Sequence, residues 1–347
     1  MANFFRSLLL ISYARHLLGI FILLVLTGCA SNNFIKQMDE LSADRFDADS
    51  FYQVELEQVP FFPQTEYHCG PAALATVLNY WDVPVVPDDL VDEVYTPAKQ
   101  GSFQIELVAA TRQRGLLAYE MKGSLQQLLA EITAGHPVLV MLNLGYSWYP
   151  QWHYAVVVGF EWSEKQVVLR SEQHKRYKMP LALFGKTWSR ASYWGLVALP
   201  PDRLPATANP LTYLKAAQSL EQVSQRKAAI MAYQAALKTW PHQPIALLGL
   251  GNIYYANQQR QQSIDTLMTL VKEHPLHTVG WNNLGYALAT SGCQKAAQQA
   301  LTCGLTVQPK NSQLLATQQE IQALTVKRLL KQCPKVECDR SRKPNQQ

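Results

Sequence analysis

The sequence lacks the features that mark several classes of protein. Charged residues make up only 16% of its 347 positions, and the net charge of +5 is too modest for a dedicated nucleic-acid binder. No Cys-x2-Cys or His-x3-His pair is present, so the ligand spacing of a common zinc site is missing. We therefore expect no nucleic-acid partner, no metal site and no cofactor.

The N-terminal apolar run is too short to span a bilayer comfortably. Arg6 and Arg15 precede about 10 apolar residues at 17–26, a length that suits the core of a signal peptide. The next residues, Leu-Thr-Gly-Cys29, resemble the lipobox of bacterial lipoproteins, in which cleavage leaves the cysteine as a lipidated N-terminus. An ordinary signal peptide or a short anchor is the alternative interpretation.

The lipobox resemblance divides this part of the chain at Cys29. We predict a lipoprotein signal peptide over residues 1–28 and a polar tether over residues 29–57. Acyl chains on Cys29 would hold the protein at a membrane surface. Ala30, where Asp would favour the inner membrane, resembles the sorting signal for the outer membrane of Gram-negative bacteria. We therefore expect a lipid-anchored envelope protein that faces the periplasm.

The other cysteines are one isolated residue and a C-terminal group of four. Cys293, Cys303, Cys333 and Cys338 are able to form two disulfides in an oxidising periplasm, and Cys333 with Cys338 would close a small loop. Their pairing is not fixed by the sequence. Cys69 is then left as an unpaired thiol, which makes it a candidate reactive group in an exported protein.

A proline-rich stretch over residues 200–209 predicts a linker between two parts of different character. Before the linker, the spacing of apolar residues predicts three helices, which lie behind Cys69, over 102–114 and after the capping box at Ser124. Apolar, β-rich runs follow these helices. Helices followed by an antiparallel sheet predict an α+β domain over residues 58–199. The predicted strands are 137–144, 154–162, 166–170 and 193–199.

The part after the linker repeats with a period of 34 residues. A large residue, a small residue four positions later and a final proline resemble the tetratricopeptide pattern. We predict an all-α solenoid of three such repeats plus a capping helix over residues 210–331, followed by a loose basic tail over 332–347. Its concave face is expected to bind a protein partner. The aligned positions include Tyr213, Leu247 and Trp281, then Ala217, Gly251 and Gly285, and finally Pro241, Pro275 and Pro309.

The stretch QTEYHCGPAALATVLNYW places Cys69 at the start of an apolar helix. A thiol there faces unpaired N–H groups and the positive end of the helix dipole, so we expect its pKa to be lowered. Gly70 would leave room for a substrate, and a buried structural cysteine is the alternative. Gln64, five residues upstream, is able to form an oxyanion hole together with the backbone N–H of Cys69.

A nucleophilic thiol needs a base, and His153 is the best candidate among the histidines. It opens the strand-like run HYAVVVGF, where a rigid backbone would hold the imidazole in place. The other histidines near the domain are less suitable because His68 adjoins Cys69, His136 lies in a Gly-His-Pro turn and His174 falls in a charged loop.

Residues 58–199 resemble the bacteriocin-processing cysteine peptidases of the papain-like clan. The matching segments are VPFFPQTEYHCGPAALATVLNYW, GHPVLVMLNL, HYAVVVGF, QVVLRSE and MPLALFGKTW. The resemblance implies a papain-like fold with Cys69 as nucleophile, His153 as general base and Gln64 as oxyanion donor. Family members fused to ABC transporters cut leader peptides after Gly-Gly. This chain has no Walker-type loop, and it resembles a free-standing lipoprotein branch with repeats in place of the transporter.

One position departs from the family pattern. The family usually has an Asp that orients the imidazole, and here Ser171 falls at that position with Glu172 beside it. Either residue is a candidate orienting group. The aromatic residues before His153 are candidates to line a substrate groove, although a hydrophobic plug is an equal alternative. They are Tyr146, Trp148, Tyr149 and Trp152.

The sequence therefore favours a membrane-tethered cysteine peptidase whose repeats recruit a substrate or a partner. A catalytically degenerate peptidase fold that assembles envelope proteins is the main alternative, because the orienting Asp is missing. Acyl transfer between amines, on the same Cys–His chemistry, is a third possibility.

Overall fold

The computed structural model describes residues 36–37, 53–64, 67–324 and 329–338. The predicted signal peptide and the lipidation residue Cys29 lie outside these ranges. Among the described residues, no helix combines the length and the apolar character needed to cross a membrane.

The chain divides into two compact units, and the first contains both helices and strands. Its helices are α1 Cys69–Tyr80, α2 Asp88–Val94, α3 Gln104–Gln113, α4 Leu125–Thr133 and α5 Leu181–Ser189. Its strands are β1 Gln53–Glu55, β2 Leu117–Lys122, β3 Val138–Asn143, β4 Trp152–Glu161, β5 Gln166–Ser171, β6 His174–Pro180 and β7 Trp194–Leu199. The fold is therefore the predicted α+β class.

The seven strands form one sheet, in which six follow the order β2-β7-β3-β4-β5-β6 and β1 pairs with β4 outside that order. The long strand β4 organises it, because β3 pairs antiparallel with its first half and β5 with its second half. The short strand β1 pairs with the end of β4, beyond the residues that β3 covers. From Tyr154 onward β4 is buried, so its opening residues lie at the edge of the core.

The predicted helices are confirmed, together with the signals that bound them. The side chain of Ser124 accepts a hydrogen bond from the N–H of Gln127, and the Gln127 side chain bonds back, so the predicted capping box is present. Gly115 and Gly135 both have positive φ values, 77° and 86°, which stop α3 and α4.

Several elements were not predicted from the sequence. His174 belongs to β6 rather than to a charged loop, and every residue of that strand except Met179 is exposed. Such a strand lacks the apolar alternation by which strands are recognised. At the N-terminus, β1 lies within the predicted tether, and the Oε1 of Gln37 accepts a hydrogen bond from the N–H of Leu125 at 3.0 Å. Part of the predicted tether therefore packs on the domain.

The second unit has the predicted repeat architecture. Helix pairs begin at residues 210, 244 and 278, which keeps the 34-residue step. A Cβ atom at Gly285 would lie 2.7 Å from Leu301, so the small residue is required where the two helices of a repeat approach each other. The helices are α6 Pro210–Gln222, α7 Arg226–Thr239, α8 Pro244–Ala256, α9 Arg260–Glu273, α10 Thr278–Thr290, α11 Gln294–Val307 and α12 Ser312–Ala323.

The C-terminal end differs from the prediction in two respects. The capping helix α12 ends at Ala323 rather than near residue 331. The tail is also attached to the last repeat, because Cys333 bonds to Cys293 and Cys338 bonds to Cys303. The small loop that a disulfide between Cys333 and Cys338 would have closed is therefore not formed.

Candidate active site

Cys69 is the first residue of α1 and the free cysteine among the described residues. The backbone N–H groups of Tyr154, Gly70 and Cys69 itself act on its thiol to lower the pKa. Tyr154 directly follows His153 on β4. Since α1 also packs against β4, the predicted nucleophile lies on the helix that contacts the strand carrying the predicted base.

The expected lowering of the thiol pKa is not found. Burial raises the pKa of Cys69 above its ordinary value, and the three backbone N–H groups lower it by less than burial raises it. Desolvation penalises the charged form of an acid, and here it outweighs the donors at the helix N-terminus. The resting group is therefore a thiol at neutral pH.

The space beside Gly70 is occupied by the protein itself. A Cβ atom at this position would lie 2.3 Å from the Oγ of Ser102, so only glycine fits. The prediction that Gly70 leaves room for a substrate is thus wrong. The Ser102 Oγ is buried and has no hydrogen-bond partner in the described part of the chain.

His153 is the second residue of β4, and its ring is fixed by a neighbouring strand. The Nε2 of His153 lies 2.8 Å from the Oγ of Ser171, the last residue of β5. Ser171 is buried, whereas Glu172 is exposed. Of the two predicted orienting residues, Ser171 is therefore the one that contacts the imidazole. This bond leaves the Nδ1 of His153 for proton exchange.

Burial lowers the pKa of His153, and the negative charge of Glu172 raises it by less. The imidazole is therefore neutral at pH 7, because its ordinary pKa of 6.5 is already below that pH. A neutral imidazole is able to accept a proton, so the resting pair consists of a neutral base and a protonated thiol.

Gln64 is held by the turn that connects β5 and β6. Its N–H donates to the carbonyl of Glu172 at 2.9 Å, and its carbonyl accepts a hydrogen bond from the side chain of Gln173. The Nε2 of Gln64 donates to the carbonyl of Tyr154 at 3.3 Å. Because an amide NH2 group has two hydrogens, one N–H remains for a ligand.

Tyr154 was not predicted from the sequence, although its backbone contacts both Cys69 and Gln64. Its hydroxyl donates to the carbonyl of Ser102 at 3.1 Å, and burial raises its pKa far above the physiological range. The only available signal was its position directly after the candidate base. This residue joins the nucleophile, the candidate oxyanion donor and the segment that packs on Gly70.

The four aromatic residues before His153 are exposed. Their exposed fractions are 64% for Tyr146, 81% for Trp148, 61% for Tyr149 and 50% for Trp152. Tyr146 stacks on Trp148 with ring centroids 5.6 Å apart. Rings this exposed do not form a buried plug, and their part in a substrate groove stays a prediction.

Two models of known protein families match separate segments of the chain. Residues 56–195 match the model of the Peptidase_C39 like family, and residues 213–282 match a tetratricopeptide repeat model. A peroxisomal targeting signal receptor from Kluyveromyces lactis is 30% identical over 92 residues, which are 26% of this chain. This chain spans only 16% of that curated relative.

Solved structures with similar folds include two peptidases. A C39-like peptidase from Bacillus anthracis is 19% identical, with 42% of this chain and 97% of that chain covered and a TM-score of 0.38. The peptidase domain of Streptococcus ComA, a bifunctional ABC transporter, is 23% identical, with 41% and 98% covered and a TM-score of 0.35. The chain therefore contains a segment that matches the Peptidase_C39 like family, followed by a segment that matches tetratricopeptide repeats.

Proposed function

We propose that the first domain is a cysteine peptidase in which Cys69 is the nucleophile and His153 the general base. The observation that carries this proposal is the arrangement around β4. Its backbone contacts the Cys69 thiol and the Gln64 amide at Tyr154, and Ser171 orients the adjacent imidazole of His153. The family match over residues 56–195 supports the same chemistry.

In this mechanism the sulfur of Cys69 attacks the carbonyl carbon of a peptide bond as its proton passes to the Nδ1 of His153. The carbonyl oxygen becomes an oxyanion, which accepts hydrogen bonds from the Cys69 N–H and the free N–H of Gln64. The C–N bond then breaks, and His153 returns the proton to the leaving amine. Water, deprotonated by His153, hydrolyses the thioester and releases the acid product with the thiol restored.

The raised pKa of Cys69 and the lowered pKa of His153 make this a general-base reaction from a neutral pair. The thiolate forms only as the sulfur attacks. Substrate binding therefore has to align the carbonyl carbon before a strong nucleophile exists.

Peptide hydrolysis by the purified full chain tests the proposal. A library of short peptides, including sequences with Gly-Gly, is incubated with the protein, and new amino termini are detected by mass spectrometry. Cys69→Ala and His153→Ala should abolish cleavage, and Gln64→Ala should lower kcat by about 100-fold or more, as expected for the loss of an oxyanion donor. Cleavage that persists in Cys69→Ala would refute the assignment.

We also propose that Cys29 is lipidated and tethers the chain to the periplasmic side of the outer membrane. The Leu-Thr-Gly-Cys-Ala sequence at 26–30 and the two disulfides of the repeat unit support an oxidising envelope compartment. The repeats would recruit a protein partner or the substrate, as repeats of this family generally bind proteins. Metabolic labelling with a clickable fatty acid, compared with Cys29→Ser, measures the modification.

A catalytically degenerate binding module is the second candidate. Two observations favour it, since burial raises the pKa of the Cys69 thiol and a serine contacts His153 where the family usually has a carboxylate. A protein that binds peptides with equal affinity before and after Cys69→Ala, and cleaves none, would support this candidate over the peptidase.

A further inference from the structure

The connection between β3 and β4, residues 144–151, and the first residue of β4 form an exposed aromatic tip. The tip consists of Tyr146, Trp148, Tyr149 and Trp152, with the half-exposed Leu144 at its base. Trp148 leaves 81% of its surface exposed, although aromatic side chains of this size are usually largely buried. A contiguous exposed apolar patch of this kind indicates an interaction surface.

The tip is held in a defined conformation by its own backbone. The N–H of Leu144 donates to the carbonyl of Gln151 at 2.9 Å, and the N–H groups of Gly145 and Gln151 both donate to the Oδ1 of Asn143 at 3.0 Å. Tyr146 and Tyr149 exchange two backbone hydrogen bonds of 3.0 and 3.2 Å. The exposure of the aromatic rings is therefore a fixed feature of a structured turn.

The composition of the tip suits a lipid interface better than a protein partner. No Asp, Glu, Lys or Arg occurs between residues 138 and 160, so the tip itself carries no charge. The nearby guanidinium of Arg190 donates to the carbonyl of Gly145, next to Leu144 at the base of the tip. Tryptophan and tyrosine prefer the membrane–water interface, where the ring is buried and the polar group stays hydrated. A peptide groove would bury its lining, whereas these rings project outward.

The tether reaches the domain at the same end of the sheet as the tip. In the β7–β3–β4 ladder Val140 pairs with Gly195, and Leu142 pairs with His153. Tyr193 is therefore level with His153, and its carbonyl accepts a hydrogen bond from the N–H of Gly123 at 3.0 Å. The N–H of Leu125, two residues further, bonds Gln37.

The remaining tether is short. Seven residues lie between the candidate lipidation site Cys29 and Gln37, so the eight steps from one Cα atom to the other span at most about 29 Å. A lipid on Cys29 would thus hold this end of the domain close to the bilayer. Strand β1, where the chain joins the sheet, lies at the other end, because Gln53 pairs with Glu161 at the end of β4 far from the tip.

We propose that the aromatic tip inserts into the interface of the membrane that carries the Cys29 lipid. The site at Cys69 and His153 then faces the bilayer surface, and its substrates are polypeptides held at that surface, such as other lipidated or membrane-inserted chains. The proposal rests on the lipid tether proposed above, and it extends that function by assigning the substrate class.

Tryptophan quenching by brominated lipids tests the insertion. The full chain is anchored through its N-terminus in phosphatidylethanolamine–phosphatidylglycerol vesicles whose acyl chains carry bromine. Residues 1–52 contain no tryptophan, so the anchor itself contributes no signal. Bromine should quench the wild-type fluorescence. The double variant Trp148→Phe/Trp152→Phe should lose most of this quenching, because phenylalanine keeps the tip apolar but removes the reporters.

Trp162→Phe is the matched control, since Trp162 follows β4 at the end opposite to the tip, and it should keep the full bromine quenching. Equal quenching in the wild type and the double variant, or none in either, would overturn the proposal. The proposal would also be overturned if acrylamide quenched Trp148 freely in vesicles and lost this access only when peptide was added. The tip would then be a substrate surface. Cys69→Ala should leave the quenching unchanged, so a failure of the peptidase assignment alone remains distinguishable.

Discussion

The Nε2 of His153 lies 2.8 Å from the Oγ of Ser171, so a hydroxyl occupies the position from which the imidazole is oriented. A carboxylate only accepts hydrogen bonds and fixes the tautomer in which Nδ1 is the base. A hydroxyl either accepts or donates, so it holds the ring in place without selecting one tautomer. Ser171 therefore positions the candidate base, and the negative charge of Glu172 stabilises the imidazolium by less than burial destabilises it.

Ser171→Asp should therefore improve the base. The new carboxylate would stabilise the imidazolium, so we expect a higher pKa of His153 and a higher kcat. Ser171→Ala should lower kcat by roughly 3- to 10-fold, the value of one neutral hydrogen bond. Titration of the His153 ring by NMR and steady-state kinetics measure both effects. Ser171→Thr keeps the Oγ and serves as the control, and an unchanged His153 pKa in Ser171→Asp would contradict the orienting role.

The pH dependence of alkylation follows from the raised pKa of the Cys69 thiol. Only the thiolate reacts with iodoacetamide, so the rate should rise by about tenfold per pH unit from pH 7 and continue beyond the range of an ordinary thiol. Mass spectrometry of the full chain in a Cys29→Ser background measures the rate, because the four C-terminal cysteines are disulfide-bonded. A fast reaction with a plateau below pH 7 would show instead that Cys69 and His153 form an ion pair.

Glu131 should make stability depend on pH. Its fully buried carboxylate accepts hydrogen bonds from His136 at 2.7 Å, from the Ala206 N–H at 3.1 Å, and from the N–H and hydroxyl of Thr207 at 2.8 and 2.6 Å. Burial alone would raise the pKa of Glu131, but these donors outweigh it and hold the pKa below its usual value. The resulting stabilisation is present at neutral pH and is lost as the pH falls through the lowered pKa.

Glu131→Gln should accordingly lower the free energy of unfolding by roughly 2 kcal/mol at pH 7. The difference from the wild type should shrink in acid, as the pH falls through the lowered pKa at which the wild-type carboxyl takes up a proton. Urea unfolding at pH 7 and over a series of acidic pH values measures it. Glu164→Gln, in an exposed turn, is the control and should change little at any of these pH values. A difference that stays constant with pH would show that ionisation of Glu131 is not the cause.

Reduction of the two disulfides should destabilise the repeat unit. One disulfide links residues 40 positions apart and the other links residues 35 positions apart. Closing a loop of that length lowers the entropy of the unfolded chain and so stabilises the folded state by about 4 kcal/mol. The loops overlap, so the combined effect should be less than the sum. Differential scanning calorimetry with and without reductant should show a lower Tm for the repeats. The prediction would be contradicted if reductant lowered the Tm of the peptidase-like domain instead, and if the Cys293→Ser/Cys333→Ser variant kept the wild-type Tm of the repeats.

The parts of the fold that could be predicted are those with a strong local signal. The 34-residue period gave all three repeats, because each pair of helices needs a small residue such as Gly285 at its crossing. Helix α1 followed from its apolar spacing behind Cys69. Strands β1 and β6 could not be predicted, since β1 has three residues and the residues of β6 other than Met179 are exposed.

The candidate residues Cys69, His153, Gln64 and Ser171 lie around one end of β4, and their catalytic roles stay predictions. The pKa of Cys69 was predicted in the wrong direction, because the sequence shows the helix start but not how deeply the thiol is buried. The role of Tyr154 was missed for a related reason, since it acts largely through its backbone.

The separation of Cys69 from His153 along the chain has a consequence for biosynthesis. His153 meets Ser171 only after β4 has paired with β5, and β4 also has to pair with β3 and dock against α1. A nascent or partly folded chain thus contains the sulfur without an assembled base. Proteolytic competence would arrive late, once the sheet is complete, and unfinished copies could not digest themselves or their neighbours.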